Sequence, residues 1–408
     1  MYLTHLSLTN FRLFRRLDLD IPRRILLLMG DNAQGKTSIL EAVYFLATFT
    51  TFQTQSDQQL INFMVKDERL SVARLVAEYN RDDHDHRMEI RLIRENGNGS
   101  VRARKEILID GVRRSAQNAV GHFNAVIFLP QMTRIIEGGP DERRRYLNLT
   151  ISQAIPGYAQ ALSDYVQALA QRNALLKQLA ERSGDPNQLR YWDELLADRG
   201  AAMIYARISA VEELDKLASR FHQRLTQDQE LLSLHYQPAY DPVGSGEAQA
   251  RLPISTGIRR TGFTRQQIQD GFFDRLQALR REEIQRGVTT IGPHRDEFRF
   301  ECNGIDITDY GSRGQVRTAL LALKLAEVTW LKEKTGQWPV LLLDEMMAEL
   351  DLNRRQDLLN TLTECDQTLI TTTDLHGFST QFAASSTIWK VNRGRVDRNP
   401  DQLVIGGE

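Results

Sequence analysis

The chain has 408 residues, of which 41% are hydrophobic, so it can bury a substantial core and form two domains or one domain with a large insertion. Its 52 lysines and arginines nearly balance 53 aspartates and glutamates, which excludes a general attraction to nucleic acid or acidic membranes. The two cysteines, Cys302 and Cys365, lack metal-ligand spacing, so neither a disulfide framework nor a zinc site is expected.

The same features predict the compartment. Few cysteines fit a reducing cytoplasm. The amino terminus, MYLTHLSLTNFRLF, lacks the apolar core of a signal peptide, and no apolar run approaches the length of a membrane span. We therefore expect a cytoplasmic protein without a membrane partner.

The first predicted elements lead to a glycine-rich loop. Residues 2–21 read as two strands, because apolar and acidic residues alternate over 17–21. Residues 25–29 (ILLLM) form the unbroken apolar run of a buried parallel strand. After the loop, apolar residues recur at helical spacing from Ile39 to Ala47.

The loop at 30–37 reads GDNAQGKT and fits the phosphate-binding pattern of strand, Gly-rich loop and helix. Its backbone amides would face a polyphosphate, Lys36 would reach the β and γ oxygens, and Thr37 would bind Mg²⁺. A chance glycine-rich turn is the alternative, but the flanking elements favour nucleotide binding. The predicted contacts with ATP are Gly30, Asp31, Asn32, Ala33, Gln34, Gly35, Lys36, Thr37 and Ser38.

The next segment predicts an antiparallel sheet. Residues 48–63 are polar and form either an excursion near the nucleotide or a simple connection. Strand-like alternation follows at 70–79 and 87–94, and the Asp-Gly pair within 107–112 indicates a hairpin turn. The basic residues of this segment either contact DNA phosphates or form a strand face that is exposed to solvent. They are Arg102, Arg104 and Lys105, with Arg113 and Arg114 across the hairpin.

Helical periodicity dominates from Pro140 to about residue 226, and the breaker at 183–187 predicts two long antiparallel helices. The second could span about 35 residues, either packed in a bundle or projecting as an arm. Residues 237–264 predict a loop region and 265–286 short helices.

Three consecutive arginines, Arg143, Arg144 and Arg145, begin this helical segment. They cannot share one helix face, because neighbours are about 100° apart. At least one should pair with a carboxylate such as Asp141 or Glu142, while the others could contact DNA phosphates.

A second apolar strand at 339–345 ends in Asp344 and Glu345. Beside the phosphate loop, Asp344 would bind Mg²⁺ through water and Glu345 would position the attacking water. A core strand with a solvated acidic turn is the alternative. Both motifs must reach one Mg²⁺ ion, so the intervening segment must leave the nucleotide fold and return.

Between them, Ser312 can cap a helix that follows a small-residue turn, which is an anion-binding arrangement. Alone, such a motif is usually only a helix cap. The order of phosphate loop, Ser-Arg-Gly-Gln, acidic strand and Leu-Asp turn, however, resembles that of ABC-type ATPases. That resemblance implies a homodimer in which Ser312, Gly314, Gln315 and Asp351 act at nucleotides sandwiched between two subunits.

Over most of its length the sequence also resembles the RecF family of bacterial recombination and repair ATPases. The matching stretches are LTNFR (8–12), GDNAQGKTS (30–38), VIFLPQMTRIIEGGPDERRRYLNLTISQ (126–153), WDE (192–194), IGPHRDEF (291–298), YGSRGQ (310–315) and LLLDEMMAELD (341–351). The resemblance implies a DNA-stimulated ATPase that binds single- and double-stranded DNA at gaps or junctions. It also implies a role in replication, recombination and the SOS response, with RecO, RecR and RecA as partners.

The sequence departs from the family pattern in three segments. Thr50 and Gln53 replace expected arginines, which weakens the case for DNA coupling there. Glu345 stands where aspartate is common, although a glutamate suits water activation. The strand at 368–373 offers threonines and no histidine near the γ-phosphate, so we expect slow turnover, since threonine cannot carry positive charge.

The predicted fold is therefore α/β, an ABC-type P-loop ATPase head with a mixed sheet, interrupted by a mainly helical lobe. The expected parts are 1–125 and 287–408 for the head and 126–286 for the lobe. A transporter's ATP-binding subunit is a rival, disfavoured by the large insertion. A P-loop kinase for a small molecule is another, and a long coiled-coil relative is a third, disfavoured by the absence of sustained heptads.

Overall fold

The computed structural model describes residues 1–52, 56–65, 68–97, 100–182, 184–244, 260–349 and 352–398. The chain divides into two units. The first comprises Met1–Met132 and the described part of Leu331–Glu408, and the second comprises Thr133–Trp330. Among the described helices, none combines the length and apolarity needed to cross a membrane.

The first sheet of the first unit is antiparallel and has the order β2-β1-β4-β5-β6-β7. The predicted hairpin turn is confirmed, because Asp110 and Gly111 both adopt positive φ, 50° and 78°, as a two-residue turn of type I′ requires. The strands are β1 Tyr2–Phe11, β2 Phe14–Asp20, β4 Leu70–Arg81, β5 His84–Gly97, β6 Ser100–Ile109 and β7 Val112–Arg114.

The second sheet has the order β15-β14-β3-β13-β12-β8, in which all strands except β15 run parallel. Parallel strands place their carboxyl ends at one edge, where ligands of open α/β sheets bind. The strands are β3 Arg24–Met29, β8 Ala125–Phe128, β12 Val340–Asp344, β13 Gln367–Thr372, β14 Thr387–Asn392 and β15 Arg395–Asp397.

Helix α1 (Lys36–Thr48) joins both sheets in one apolar core. Its residues from Ile39 to Thr48 are buried on every side, so it behaves as a core helix. The other helices of this unit are α2 Ala116–Ala119, α10 Leu352–Glu364 and α11 Thr380–Ala384, with short 3-10 turns at Asp57–Leu60, Phe63–Val65, Pro130–Thr133 and Met346–Glu349.

The second unit is mainly helical. Its helices are α3 Arg134–Glu137, α4 Pro140–Ala154, α5 Tyr158–Glu181, α6 Arg190–Leu225, α7 Arg265–Arg286, α8 Ile307–Tyr310 and α9 Arg313–Thr335, with a 3-10 turn at Pro186–Leu189. A small antiparallel sheet, β11-β10-β9, adds Leu232–Gln237 (β9), Glu297–Cys302 (β10) and Ile305–Asp306 (β11).

Helix α6 has 36 residues and packs against α5, α7 and β9, so it is part of a bundle rather than a projecting arm. Buried residues recur along it from Leu196 to Leu225. Residues 265–286 form one helix, not the short helices expected, because Thr264 and Gln267 make a capping box and Gly287 ends the helix with φ of 65°.

The unit boundaries differ from the predicted ones at 126 and 287. The second unit extends to Trp330. Strand β10 pairs with β9 from Glu297 to Cys302, so the chain after residue 286 remains in the lobe before α9 leads it back. Short strands paired across some sixty residues carry little local signal, so the sequence did not indicate this pairing.

Candidate nucleotide-binding site

The predicted phosphate loop lies between the carboxyl end of β3 and the start of α1. A Cβ at Gly30 would collide with the carbonyl group of Val391, so only glycine fits there. Gly35 has φ of 109° at the amino terminus of α1, a conformation that L side chains avoid. The loop therefore forms a backbone cradle with the shape that a polyphosphate requires.

Lys36 lies at the base of this cradle and is 3% exposed. Its ammonium group donates to the carbonyl oxygens of Gly30 (2.6 Å) and Asp31 (2.9 Å). It also lies 3.3 Å from Oε1 of Glu345. The charge is thus held by the loop at the position from which a lysine contacts β and γ phosphates.

Thr37 and Asp344 meet although they lie at opposite ends of the sequence. The Thr37 hydroxyl donates to both carboxylate oxygens of Asp344, at 2.9 and 3.0 Å. Burial raises the pKa of Asp344, while hydrogen bonds from Thr371 and Thr37 oppose that shift. A hydroxyl and a carboxylate form the oxygen-donor set that Mg²⁺ prefers.

Thr371 on β13 is a site residue that sequence reasoning missed. Its hydroxyl donates to Oδ1 of Asp344 at 2.7 Å and accepts a hydrogen bond from the Glu345 amide at 3.0 Å. It is 1% exposed. Because β13 lies between β3 and β12, Thr371 connects both acidic positions. The sequence indicated only that residues 368–373 carry threonines and no histidine.

Glu345 follows β12 with φ of 52°, which is strained for a residue with a side chain. Its carboxylate is 41% exposed and faces the loop lysine. Strained backbone of this kind is concentrated at functional sites. The geometry leaves Glu345 accessible to a water molecule at the mouth of the cradle.

A pocket of about 270 Å³ opens above the loop. Leu13, in the turn between β1 and β2, forms part of its wall and was not predicted. The turn after β14 also supports the loop, since the amides of Arg393 and Gly394 donate to the side chain and the carbonyl group of Gln34. The pocket is lined by Leu13, Ala33, Gln34, Gly35, Lys36, Thr37, Ser38 and Glu345.

Of the other loop residues, Asp31 and Asn32 are exposed beside the cradle. The described residues between 48 and 63 do not line the pocket. One of them, Thr51, donates at 2.6 Å to buried Glu41, which also accepts from Arg12 at 2.7 Å. Of the two alternatives for this segment, the structure therefore favours a connection, with Thr51 packed against α1, over an excursion toward the nucleotide.

Ser312, Gly314 and Gln315 lie in the second unit, at the amino end of α9. The Gln315 amide donates to the Ser312 hydroxyl at 3.2 Å, and the Ser312 amide donates to the Gln315 side chain at 3.0 Å. This reciprocal capping box leaves Ser312 and Gly314 exposed. Asp351 lies outside the described residues.

The arginine run on α4 is mostly engaged within the second unit. Arg143 is 5% exposed and makes a two-pronged ion pair with Glu297 at 2.7 and 2.9 Å, which favours the structural role over DNA contact. Arg144 bonds Asp141 at 2.5 Å and the Asp296 carbonyl at 2.7 Å. Arg145 is exposed on the opposite face.

The basic residues of β6 differ from one another. Lys105 donates to Asp57 at 2.8 Å and to the Phe49 carbonyl at 2.7 Å, so it anchors the neighbouring connection. Arg104 is 61% exposed, with Glu95 at 3.8 Å. Arg102 is also exposed. Arg102 and Arg104 are therefore the accessible basic residues of β6, and Arg113 and Arg114 on β7 are exposed as well.

Known proteins match this chain along its length. The model of the RecF/RecN/SMC N terminal domain matches residues 2–395. The DNA replication and repair protein RecF of Roseiflexus castenholzii is 37% identical over 409 residues, covering 97% of this chain and 99% of the relative. That of Exiguobacterium sp. is 32% identical over 397 residues, with the same coverage.

Solved structures agree. The recombination mediator protein RecF with ATP, from the RecFOR pathway, has a TM-score of 0.79 and 31% identity, covering 97% of this chain and 99% of that chain. An SMC head bound to a winged-helix domain of ScpA, with a TM-score of 0.50 and 14% identity, shares the fold alone. From a full-length family match and relatives above 30% identity, we conclude that the chain belongs to the RecF family.

Proposed function

We propose that this protein is an ATP-dependent DNA replication and repair protein whose nucleotide site binds ATP with Mg²⁺. The observation that carries the proposal is the convergence of Lys36, Thr37 and Asp344 around a glycine cradle. The loop amides and Lys36 would hold the triphosphate, and Thr37 and Asp344 would hold the ion. The bound ion would neutralise charge on the β and γ phosphates during hydrolysis.

Glu345 is the residue that would position water for attack on the γ-phosphate. It lies beside Lys36 at the mouth of the pocket, and its backbone is fixed through Thr371. The end of β13 offers threonine hydroxyl groups rather than a cationic side chain. The charge on the γ-phosphate would therefore be stabilised less in the transition state, and turnover would be slow. Hydrolysis then serves as a conformational switch.

Dimerisation would complete the site. In this proposal the exposed Ser312 cap of one protomer closes over the γ-phosphate held by the loop of its partner. The exposure of Ser312 and Gly314 at the amino end of a 23-residue helix supports an anion contact supplied from outside the protomer. ATP binding energy would then stabilise a closed homodimer.

DNA, at gaps or junctions between single and double strands, is the proposed partner of the closed dimer. Exposed Arg102, Arg104 and Arg145 are the candidate phosphate contacts, since the overall charge of −1 requires local clusters. RecO, RecR and RecA are proposed protein partners, in line with the RecFOR pathway of the structural relative. A role in the SOS response follows from the same family membership.

Sedimentation with and without a nonhydrolysable ATP analogue tests this function. The wild-type protein should shift from monomer to dimer with the analogue and Mg²⁺. Lys36→Met should prevent the shift by removing the phosphate contact, and Ser312→Arg should prevent it by blocking closure while retaining nucleotide binding. An unchanged monomer of the wild type at saturating analogue would contradict the dimer, and dimerisation by Ser312→Arg would exclude the serine contact.

A further inference from the structure

Three side chains that lie far apart in the sequence meet in the second unit. They are His222 on α6, Glu230 just before β9 and Cys302 at the end of β10. One nitrogen, oxygen or sulfur atom from each lies within 4.8 Å of the others. His222 and Cys302 are 0% and 2% exposed, and Glu230 is partly buried. The nucleotide site uses none of them.

The backbone holds two members of this cluster in place. Cys302 pairs with Leu232 in the register of β10 and β9. One residue beyond, the Leu231 amide donates to the Asn303 side chain at 2.9 Å, and the Asn303 amide donates to the Leu231 carbonyl at 2.9 Å. Glu230 and Cys302 thus sit at adjoining strand ends, a rigid platform of the kind that a metal site requires.

His222 is oriented by a neighbouring carbonyl group. Its Nδ1 lies 3.3 Å from the backbone oxygen of Glu230, and its Nε2 lies 3.9 Å from Oε2 of the same residue. A metal-binding histidine typically donates one ring N–H to a carbonyl or carboxylate and binds the ion through the other nitrogen. The ring of His222 has this orientation.

We propose that His222, Glu230 and Cys302 form a Zn²⁺ site in which solvent supplies the fourth ligand. Thiolate, imidazole and carboxylate suit zinc, whereas magnesium and calcium prefer oxygen ligands alone. With bonds of about 2.0–2.3 Å, tetrahedral ligands lie about 3.3–3.8 Å apart, so these atoms need to approach by roughly 1 Å. On binding, the Cys302 thiol releases its proton to solvent.

The site adjoins the serine motif. Oε1 of Glu230 accepts a hydrogen bond from Nε2 of Gln315 at 2.8 Å, while the Gln315 Oε1 accepts from the Ser312 amide at 3.0 Å. A zinc ion that fixes the Glu230 carboxylate would therefore also fix the helix cap carrying Ser312. This consequence, unlike metal binding itself, rests on the proposed ATP-dependent dimer.

Metal content of the purified full chain tests the site directly. After incubation with Zn²⁺ and dialysis, the wild type should retain about one ion per chain. Cys302→Ser should lose it, and Cys365→Ser, which changes the other buried cysteine, should keep it. Substitution with Co²⁺ should give a thiolate-to-metal charge-transfer band in the wild type and in Cys365→Ser only.

Equal zinc content in the wild type and Cys302→Ser, or a Co²⁺ spectrum without the thiolate band, would overturn the proposal. If Cys302→Ser fails to fold by circular dichroism, His222→Gln serves instead and should weaken zinc binding at least about tenfold. Sedimentation with the ATP analogue, with and without zinc, then tests the coupling. Bound zinc that leaves dimerisation unchanged refutes the coupling alone, and bound zinc without any dimer refutes the proposed dimer alone.

Discussion

A single threonine hydroxyl links the two acidic positions of the nucleotide site. Thr371 donates to Asp344 and accepts from the Glu345 amide. Because it fixes a proposed metal-binding carboxylate and the strained turn beside it, Thr371→Val should lower ATP hydrolysis about 10- to 100-fold, the usual cost of losing an outer-shell metal partner. Steady-state phosphate release at varied Mg²⁺ measures the effect, which higher Mg²⁺ should partly reverse.

The matched control lies on the same strand. Thr368 is 0% exposed, and its hydroxyl has no hydrogen-bond partner among the described residues. Thr368→Val should therefore leave hydrolysis unchanged and keep or raise stability by about 1 kcal/mol, because it removes an unsatisfied buried group. Equal loss of activity in both variants would show that β-strand packing, not the Asp344 contact, explains the Thr371 effect.

At the residue scale, the sequence predicted what depends on local spacing. The glycine loop and the two carboxylates each lie within one short segment, so pattern alone located Lys36 and Asp344. Thr371, Leu13 and Arg393 enter the site only because β13 and β14 flank β3 and the β1–β2 turn reaches the pocket. Such neighbours are set by pairing between distant strands, which spacing does not reveal.

Among the elements, the loop at Gly292–Asp296 has a structural role in the second unit. Asp296 is 1% exposed and accepts from Arg207 at 2.7 Å, from the Ala239 amide at 2.9 Å and from the Tyr236 hydroxyl. These contacts join the loop before β10 to α6, to β9 and to the residue Ala239 that follows β9. One of the stretches that carry the RecF resemblance, residues 291–298, therefore holds the lobe together.

His294, in the same loop, should make the protein sensitive to acid. Burial lowers its pKa to about 4, and the nearby charge of Arg295 acts in the same direction. Between about pH 6.5 and 4 the unfolded chain binds a proton that the folded chain does not. The free energy of unfolding therefore decreases as the pH is lowered through this range, by up to about 3 kcal/mol. His294→Gln should lack this part of the loss in urea denaturation between pH 7.5 and 4.5.

His84, an exposed histidine in the first unit, supplies the control. His84→Gln should keep the pH slope of the wild type, because it changes an exposed side chain and leaves buried His294 in place. If the stability of His294→Gln depends on pH as steeply as that of the wild type and of His84→Gln, the acid sensitivity arises elsewhere and the buried histidine contributes little.

Whole elements were predicted where they are long or carry a local turn signal. Strands β4 and β5, the Asp110-Gly111 hairpin and the long helix α6 fall in this group. Strands β9 and β10 were not predicted, because six-residue strands with half-buried faces gain their stability from pairing with each other. That pairing moved the unit boundary to Trp330 and placed the Ser312 cap in the second unit.

At the scale of the whole molecule, the nucleotide site requires two distant parts of the first unit to meet. The lobe is inserted between them, and loop closure costs only about 0.6 kcal/mol for each doubling of length, so a large insertion is tolerated. The parallel pairing of β3 with β13 and of β13 with β12 brings Thr37 to Asp344. Because the inserted lobe contains Ser312, each protomer carries both a phosphate loop in its first unit and a serine cap in its second unit.

If each active site combines the loop of one protomer with the cap of its partner, two inactive variants should restore activity when mixed. Lys36→Met keeps an intact cap, and Ser312→Arg keeps an intact loop. A mixed dimer then contains one complete site and one with both defects. Because neither variant is expected to dimerise alone, only mixed dimers should form, and an equal mixture should reach at most about half of wild-type hydrolysis, since each mixed dimer has one of two sites.

Covalent pairing makes this test independent of dimer affinity. A tandem fusion of the Lys36→Met chain to the Ser312→Arg chain should hydrolyse ATP, whereas a fusion carrying both substitutions in one copy and none in the other should not, because neither of its composite sites has both a working loop and a working cap. Activity in the second fusion equal to that in the first would mean that each protomer works alone, with its own loop and without a partner's serine.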